Sequence, residues 1–216
     1  MSGKTNDEII KSLLDLAFYK SSGSTSLSNV ADGIHIKKAS IYNHFASRED
    51  LIAQTIKNCG QYISEINFIP DDIEAVTKKY SAETVLKGIV NRFFKMHEKS
   101  PLFQIYTFVQ SEKYFYTECM DIVNAEKEKL IEQTELVLNS LVQNGKLSLE
   151  KEKIHFAAVW FCNGVLNILS SVLLERKKII IENPKSGNGE LFTLQQDDSL
   201  FNEVNVMIEN FVSLIG

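Results

Sequence analysis

The sequence predicts an all-α protein: an N-terminal three-helix helix-turn-helix domain followed by a larger helical domain. Apolar residues recur at helical spacings along most of the 216 residues, and there are only three prolines and ten glycines. Capping-box patterns precede two of the apolar runs. Hydrophobic residues make up 44% and charged residues 24%, which is typical of a globular chain and argues against a disordered one.

The first two helices are predicted from their start signals. Thr5 followed by Glu8 is a capping-box pattern, so a first helix is expected from there to about Tyr19. Residues 20–26 form a polar connection with a glycine, and Ser26 is placed to cap a second helix.

A third, short helix is predicted over residues 37–45, after a turn of about four residues. Ser47 and Asp50 form a second capping-box pattern, which predicts a long fourth helix to about Ile66. Two helices joined by so short a turn have the layout of a helix-turn-helix unit.

Beyond residue 66 the predicted helices are longer, and Gly145 stands where a C-terminal cap would fall. Residues 182–198 are predicted to be a mobile loop. The predicted domains are residues 1–50, the helix-turn-helix domain, and residues 51–216, a regulatory and dimerisation domain. The later helices are expected at about 81–98, 101–111, 115–143, 150–177 and 199–214.

The formal net charge of −5 argues against a broadly basic nucleic-acid binder. However, residues 1–50 hold six Lys/Arg and six Asp/Glu, so the rest of the chain carries the whole negative excess. Residues 33–48 contain three basic side chains, two histidines and no acid. A local nucleic-acid surface is therefore compatible with the composition.

The pattern of reactive residues predicts no enzyme. The three cysteines form no CxxC pair, and the four histidines have no metal-ligand spacing. Neither a glycine-rich phosphate loop nor a nucleophile elbow is present, and His155 and Cys162 are about 10 Å apart by helical rise. We therefore expect no catalytic residue, no metal and no cofactor. The polar N-terminus does not resemble a signal peptide, so a cytoplasmic location is expected.

Residues 154–174 carry no charged side chain over 21 positions, which is long enough to span a bilayer. Their polar residues, His155 and Asn163 among them, favour another interpretation. We expect a helix buried on two sides, against its own core and against a second subunit, and no membrane partner.

The third predicted helix divides into two faces. Ile41 and Phe45 are i, i+4 partners and are expected to face the core, joined by Ile34 and Ile36. Nine helical residues would be about 13 Å long, close to the roughly 12 Å width of a major groove. The opposite, exposed face carries Lys38, Ala39, Ser40, Tyr42 and Asn43.

These residue types suit DNA. Asn43 is able to pair with an adenine edge, Lys38 to donate to guanine, and Ala39 to contact a thymine methyl. Tyr42, His44, Lys37 and Ser40 are suitable phosphate partners, and the helix N-termini at Ser26 and Ser47, with Arg48 beside the second, add donors for phosphate. The alternative is an ordinary core helix with a half-buried tyrosine and solvated lysines; on the helix alone both interpretations stay open.

A specific motif favours DNA binding. The residues that carry it are Leu27, Val30, Ala31, Ile36, Lys38, Ser40-Ile41-Tyr42-Asn43-His44-Phe45 and Ser47-Arg48-Glu49-Asp50-Leu51. This stretch resembles the DNA-binding domain of the TetR family of bacterial transcriptional regulators, over roughly residues 5–52. Three positions depart from the family pattern: His35 where glycine is usual, Lys37 where a small N-cap is usual, and Ser28 where a basic residue is common.

The resemblance implies a homodimeric regulator, most simply a repressor, that binds a palindromic operator in double-stranded DNA. It implies dimerisation through helices at about 150–177 and 199–214, and release by a small hydrophobic or amphipathic ligand among the middle helices. An alternative of the same fold is a ligand-independent architectural or protein-recruiting DNA-binding factor. The DNA-binding residues are then expected to be Ser26, Ser28, Lys37, Lys38, Ala39, Ser40, Tyr42, Asn43, His44, Ser47 and Arg48.

The ligand pocket is predicted from aromatic and polar residues on the middle helices, because apolar walls with a few polar groups fit a small molecule. Plain core packing is the competing interpretation for each of them. The candidates are Phe93, His97, Phe103, Tyr106, Trp160 and Asn163.

Overall fold

A computed structural model describes residues 2–183 and 198–216, and within these ranges the chain is all-α, as predicted. A single 3-10 turn, Lys151–Lys153, precedes the ninth helix. The α-helices are α1 (Ser2–Lys20), α2 (Leu27–Gly33), α3 (Lys38–Ile41), α4 (Arg48–Glu65), α5 (Ile73–Lys79), α6 (Ala82–His97), α7 (Leu102–Glu112), α8 (Thr117–Gln143), α9 (Ile154–Glu182) and α10 (Asp198–Ile215).

The chain forms two compact units. The first runs to Ile66 and adds Ser100–Asn124; the second comprises Asn67–Lys99 and Ala125–Gly216. The structural units therefore divide the chain differently from the predicted functional domains, because α7 packs against α1 and α4. The functional division at residue 50 stays a prediction.

In the first unit, α1 is the central helix and contacts α2, α4 and α7. Its apolar stripe is buried at Ile9, Leu13 and Ala17, which are spaced by four residues as one face of a helix requires. Phe18 of α1 makes an edge contact with Phe103 of α7, with ring centroids 5.4 Å apart. This packing fixes the base on which α2 and α3 rest.

In the second unit, α6, α9 and α10 pack on one another, with α5 beside α6. Phe211 of α10 contacts Phe161 of α9 at 4.8 Å between centroids. Where α9 carries Gly164, the sulfur of Met207 lies 3.5 Å from the position of an added Cβ, so the two helices approach closely there.

The helix caps predicted at Ser26, Ser47 and Gly145 are present. Ser26 and Asn29 form a reciprocal capping box at α2, and Ser47 accepts the backbone N–H of Asp50 at 3.1 Å at α4. Gly145 has φ 65° and closes α8 through bonds from its own N–H to Val142 and from Lys146 N–H to Leu141, a Schellman arrangement.

Several predicted boundaries were wrong. α1 begins at Ser2, before the predicted cap at Thr5. α5 was missed, because a seven-residue helix is too short to show a clear apolar period. α9 continues to Glu182 instead of about 177. The predicted mobile loop falls mainly on residues 184–197, which lie outside the described part of the chain.

The third helix is also shorter than predicted. Regular α-helix covers only Lys38–Ile41, and tighter turns follow, with Asn43 N–H donating to Ser40 C=O and His44 N–H to Ile41 C=O. The tightening lets Phe45 enter the core and the chain turn into α4. The predicted length of about 13 Å for a regular helix therefore does not hold.

One stretch of the described residues, Lys151–Glu182, is long and apolar enough to cross a membrane by length and composition. Half of its most apolar window is buried inside the protein. A helix of a soluble protein core passes the same test, so this feature is weak evidence for a membrane span.

Candidate nucleic-acid interface

The short helix α3 is held from below by buried side chains. Ile41 and Phe45 are 0% and 1% exposed, as their i, i+4 spacing predicts. Ile34 and Ile36 are half-buried, so they line the edge of this small core. Ser12 of α1 donates its hydroxyl to Val30 C=O at 2.9 Å and so ties α2 to α1. The orientation of α3 is thereby fixed by the first unit's core.

The turn between α2 and α3 is built on a left-handed residue. His35 has φ 58°, a region that histidine enters more readily than most non-glycine residues. The N–H groups of Ile34 and Ile36 both donate to Ala31 C=O, and His35 N–H donates to Asp32 C=O. The turn therefore forms with histidine at position 35, where the family usually has glycine.

Lys37 occupies the N-cap position before α3 and makes no side-chain cap. Its backbone is extended, with φ −76° and ψ 141°, and its C=O accepts Ser40 N–H at 2.8 Å. A lysine offers no acceptor to the first helical N–H groups. The start of α3 therefore lacks a side-chain cap and carries an exposed lysine instead.

The outer face of α3 and of the tight turns that follow it is open to solvent. Lys38, Ala39 and Asn43 are exposed, and Tyr42 is 53% exposed. Ser40 and His44 are half-buried at the margins of this face. We call the face formed by Lys38, Ala39, Tyr42 and Asn43 the reading face.

The start of α2 contributes less than its sequence suggests. The Ser26 hydroxyl accepts Asn29 N–H and donates to Asn29 Oδ1, while Ser26 N–H donates to the same oxygen. Its hydrogen-bonding groups are therefore occupied in capping the helix. Ser28 is exposed one position further on.

The start of α4 has a related but different cap. Ser47 Oγ accepts Asp50 N–H, whereas the Asp50 carboxylate reaches back to Ala46 N–H at 2.8 Å. Glu49, fully exposed beside them, has a pKa below its usual value, because its backbone N–H and the Ser47 side chain bond to the carboxylate. Glu49 and Asp50 therefore place negative charge at the positive N-terminal end of α4 and partly neutralise it.

Arg48 holds the connection between α1 and α2. Its Nε donates to Thr25 C=O at 3.0 Å, and its Nη2 donates to Ser22 C=O at 2.5 Å and Gly23 C=O at 3.3 Å. The sequence predicted a phosphate contact for Arg48 and missed this structural role. This role could not be identified from the sequence, because an arginine after a capping serine and a polar loop elsewhere in the chain are both common.

A shallow depression of about 330 Å³ lies beside the reading face. Lys38 and Tyr42 form one side, and the connecting loop around Thr25 and Ser26 forms the other, with Arg48 at its margin. A cation, a phenol and backbone groups around one concave surface are suited to a phosphate of a nucleic-acid backbone.

The connecting loop is tied to α7 by Glu112. Its Oε1 accepts Ser22 N–H at 3.0 Å, and the side chain is buried, 3% exposed. Sequence analysis did not single out Glu112, because the two residues are 90 positions apart and no local pattern joins them.

The six residues predicted for a ligand pocket fall in both units. Phe93 and His97 are buried in the second unit with ring centroids 4.2 Å apart, and Trp160 and Asn163 are exposed there. Phe103 and Tyr106 are buried in the first unit. This set stays a prediction.

Apolar side chains are exposed on α9 and α10. Phe156, Trp160 and Leu174 on α9 are 73%, 48% and 66% exposed, and their spacing places them along one side of the helix. Val206 and Leu214 on α10 are 53% and 71% exposed. The other side of α9 is buried from Ile154 to Ile180, so the helix is apolar on two faces.

No group of three or more His, Cys, Asp or Glu suited to a metal occurs among the described residues. All three cysteines are free and buried. Burial raises the pKa of Cys59 and of Cys119 to about 12, and that of Cys162 to about 11. Such thiols stay protonated at neutral pH and are poor nucleophiles.

Residues 9–55 match the family model of bacterial regulatory proteins of the tetR family. The chain is also similar to the biofilm operon icaADBC HTH-type negative transcriptional regulator IcaR of Staphylococcus aureus, strain Newman, with 28% identity over 93 residues. That similarity covers 43% of this chain and 48% of IcaR, so the chain spans about half the length of the curated relatives it matches.

Two solved structures share the fold. A TetR-family transcriptional regulator from Mesorhizobium loti MAFF303099 matches with a TM-score of 0.62 and 15% identity, covering 100% of this chain and 98% of that one. FadR from Bacillus subtilis, solved in complex with stearoyl-CoA, matches with a TM-score of 0.54 and 16% identity, covering 97% and 98%. At these identities the likeness shows the fold alone.

Proposed function

We propose that the chain represses transcription by binding a palindromic DNA operator as a homodimer, because residues 9–55 match the family model of bacterial regulatory proteins of the tetR family. The similarity to IcaR, a negative transcriptional regulator, supports repression rather than activation. Such a protein acts on chromosomal DNA, so its place is the cytoplasm.

The observation that carries the proposal is the reading face on its buried anchor. Ile41 and Phe45 are almost wholly buried, while Lys38, Ala39, Tyr42 and Asn43 point to solvent. A soluble helix with no partner gains nothing from a 53% exposed tyrosine beside an asparagine. In a major groove, Asn43 and Lys38 are placed to read base edges, and Tyr42 to contact phosphate.

Other predicted contacts follow from position. Lys37, Ser40 and His44 lie next to the reading-face residues in the chain, Ser28 is exposed on α2, and all four suit phosphate or groove-edge contacts. Arg48 acts mainly by holding the loop that borders the depression beside the reading face, as its three backbone acceptors indicate.

The proposed dimer uses α9 and α10. Phe156, Trp160 and Leu174 on α9, with Val206 and Leu214 on α10, are large apolar residues exposed on the helices that end the chain. Covering them with a second copy would remove apolar surface from water and form a four-helix contact. The two reading helices of a two-fold dimer would then contact half-sites about 34 Å apart.

We also infer that a small hydrophobic or amphipathic ligand releases the DNA. FadR, which shares the fold, was solved with stearoyl-CoA bound, so the fold accommodates an amphipathic molecule. By linkage, a ligand that lowers DNA affinity must itself bind less tightly to the DNA-bound protein.

The DNA-binding proposal is tested by selecting duplexes from a random pool with the full-length protein and measuring affinity by fluorescence anisotropy. We expect a palindrome to be recovered, with an affinity that falls steeply as salt increases. Lys38→Ala and Asn43→Ala should each weaken binding about tenfold, since one good base contact contributes about 1–3 kcal/mol. Tyr42→Ala should weaken it by a similar factor, because a hydrogen bond to a charged group contributes about 1.5–3 kcal/mol.

Lys78→Ala is the matched control, because Lys78 is an exposed lysine at the end of α5 in the second unit. It should leave DNA affinity unchanged. If all three reading-face variants bind the selected duplex like the parent, the assigned face is wrong.

A further inference from the structure

A second concave site lies in the first unit, where α1, α4 and the start of α7 face one another. Its volume is about 550 Å³, within the range of small-molecule sites. α1 lines it with one stripe of residues 7–15 and α4 with one stripe of residues 58–65, so each helix presents a single face. None of the six residues predicted for a ligand pocket is part of this cleft.

The floor of the cleft is apolar. Ile10 of α1 and Ile105 of α7 are 8% and 6% exposed, and Leu14 of α1 is half-buried. Pro101 adds an apolar ring at the start of α7. A hydrocarbon or aromatic group placed here would leave water for an apolar surface.

The rim of the cleft is acidic. Asp7, Asp15 and Glu65 supply three carboxyl groups, and Lys11 is the one basic side chain among the lining residues. Partial burial in the concave wall raises the pKa of Asp15, although Lys11 acts in the opposite direction. A concave surface with an excess of carboxylates attracts cations and repels anions.

A buried amide oxygen adds a more specific requirement. Gln104 lines the cleft, is 9% exposed, and its Oε1 is buried without a hydrogen-bond partner in the described protein. A buried acceptor without a donor costs about 1–3 kcal/mol. If the Gln104 side chain turned its oxygen toward the cleft, a ligand N–H group would remove this cost.

The walls of the cleft are connected to the DNA-binding elements. α1 holds α2 through the bond from Ser12 to Val30 C=O. α7 lines the cleft with its first turn and holds Ser22 of the connecting loop through Glu112 at its last turn. α4 follows directly from the reading helix through its cap at Ser47. A change in the spacing of these three helices therefore moves α2 and α3.

We propose that this cleft is a regulatory site for a protonated lipophilic amine, and that its occupation weakens DNA binding by the reading face. The apolar floor holds the hydrocarbon body, the carboxylates at the rim attract the ammonium, and Gln104 Oε1 accepts one of its N–H groups once the side chain turns toward the cleft. The acidic rim disfavours an anionic ligand such as an acyl-CoA. The claim that the amine weakens DNA binding rests on the proposed function, whereas the claim that the cleft binds the amine does not.

Two isosteric probes test the charge preference: 4-phenylbutylammonium and 5-phenylpentanoate share one phenylbutyl body and differ in charge. Isothermal titration calorimetry with the full-length protein should show the ammonium binding with a Kd of about 100 µM, as expected for a ligand of this size. The carboxylate should bind at least about tenfold more weakly, because it meets carboxylates instead of a counter-charge.

Variants then locate the site. Glu65→Gln should weaken amine binding about fivefold, the effect expected of one solvent-accessible charge pair. Asn58→Trp places a bulky side chain in the cleft from an exposed position and should abolish binding. Glu74→Gln, an exposed carboxylate on α5 in the second unit, is the matched control and should bind like the parent.

The regulatory effect is measured as the change in affinity for the selected operator duplex when the amine is added. Saturating amine should lower its affinity at least about fivefold for the parent, within the usual range of allosteric coupling, and not for Asn58→Trp. If no duplex is bound specifically by the parent without amine, the proposed function fails and calorimetry still decides whether the cleft binds the amine.

The inference is overturned in either of two ways. In the first, the carboxylate binds as tightly as the ammonium, or Glu65→Gln and Asn58→Trp bind the ammonium like the parent. In the second, the amine binds in the cleft but leaves the affinity of a functional DNA-binding protein unchanged.

Discussion

The carboxylate of Glu112, at the end of α7, accepts the backbone N–H of Ser22 at 3.0 Å inside the first unit. Ser22 is 1% exposed and Glu112 is 3% exposed, so neither group has ready access to water. The same residue, Ser22, offers its C=O to Arg48 at 2.5 Å. The loop before α2 is thus held through both backbone groups of one residue, the N–H and the C=O of Ser22.

Glu112→Ala should lower the free energy of unfolding by about 2 kcal/mol, because it leaves the buried Ser22 N–H without an acceptor. Glu112→Gln keeps an acceptor and should lose less than half as much. Urea denaturation of both variants measures the difference, and exposed Glu132→Ala serves as the control. Equal losses for the alanine and glutamine variants would show that the hydrogen bond is not what stabilises this loop.

Arg48→Lys should lower stability by about 1–2 kcal/mol and also weaken operator binding, because an ammonium does not reproduce the fork that bridges Thr25, Ser22 and Gly23. Arg92 is a matched comparison in the second unit, where its Nη2 donates to Asn67 C=O and Phe68 C=O. Arg92→Lys should lose stability without losing operator affinity. Thermal unfolding and anisotropy on both variants separate the two effects, and a parallel loss of affinity in Arg92→Lys contradicts a local role for Arg48.

His35→Gly should stabilise the protein by roughly 0.5–1 kcal/mol, since glycine adopts a positive φ without the strain of a Cβ. Gly145→Ala tests the same physics in reverse: φ is 65°, and nothing lies within 4 Å of the added Cβ. It should therefore lose about 1 kcal/mol for backbone reasons alone. Chemical denaturation gives both values, and a destabilised His35→Gly would mean that the histidine side chain contributes interactions beyond the turn.

The three buried thiols should make stability fall as pH rises above about 8.5, the usual cysteine pKa. In the folded protein the pKa of Cys59 and of Cys119 is raised to about 12 and that of Cys162 to about 11, mainly by burial. Above pH 8.5 the unfolded chain therefore releases protons that the folded chain keeps, which favours unfolding.

The measurement is Tm between pH 8 and 10.5, compared with a variant in which all three cysteines are alanine. That variant should start from a lower Tm and show a flatter pH slope, while lysine and tyrosine ionisation contributes to both proteins. A thiol reagent should label the native parent slowly and the denatured parent fully. Fast labelling under native conditions would contradict the assigned burial.

Phe156→Asp should convert the proposed dimer to monomer, because a charge on the exposed face of α9 opposes burial against a second copy. Phe115→Asp is the matched control, since Phe115 is 80% exposed in the first unit. Sedimentation velocity distinguishes the species. A monomeric parent, or a Phe156→Asp variant that dimerises like it, would count against the proposed interface.

The sequence by itself determined the all-α class and the positions of most helices except α5. It also determined that Ile41 and Phe45 face inward and that Lys38, Tyr42 and Asn43 face outward, in α3 and the turns that follow it. These features depend on local chemistry: helical periodicity, serine caps at Ser26 and Ser47, and glycine at the end of α8. The positive φ at His35 was not predicted from the sequence, which marked the position only as a departure from the glycine usual in the family.

Only the tertiary structure decided how distant residues combine. Arg48 bonds to the loop before α2 across 23 to 26 positions, and Glu112 reaches Ser22 across 90. The acidic cleft is formed by stripes of α1 and α4 and the first turn of α7, none of which is unusual in isolation. Periodicity fixes which face of a helix is polar or apolar, but packing between helices decides which polar groups meet across a cavity, and that information is not local in the chain.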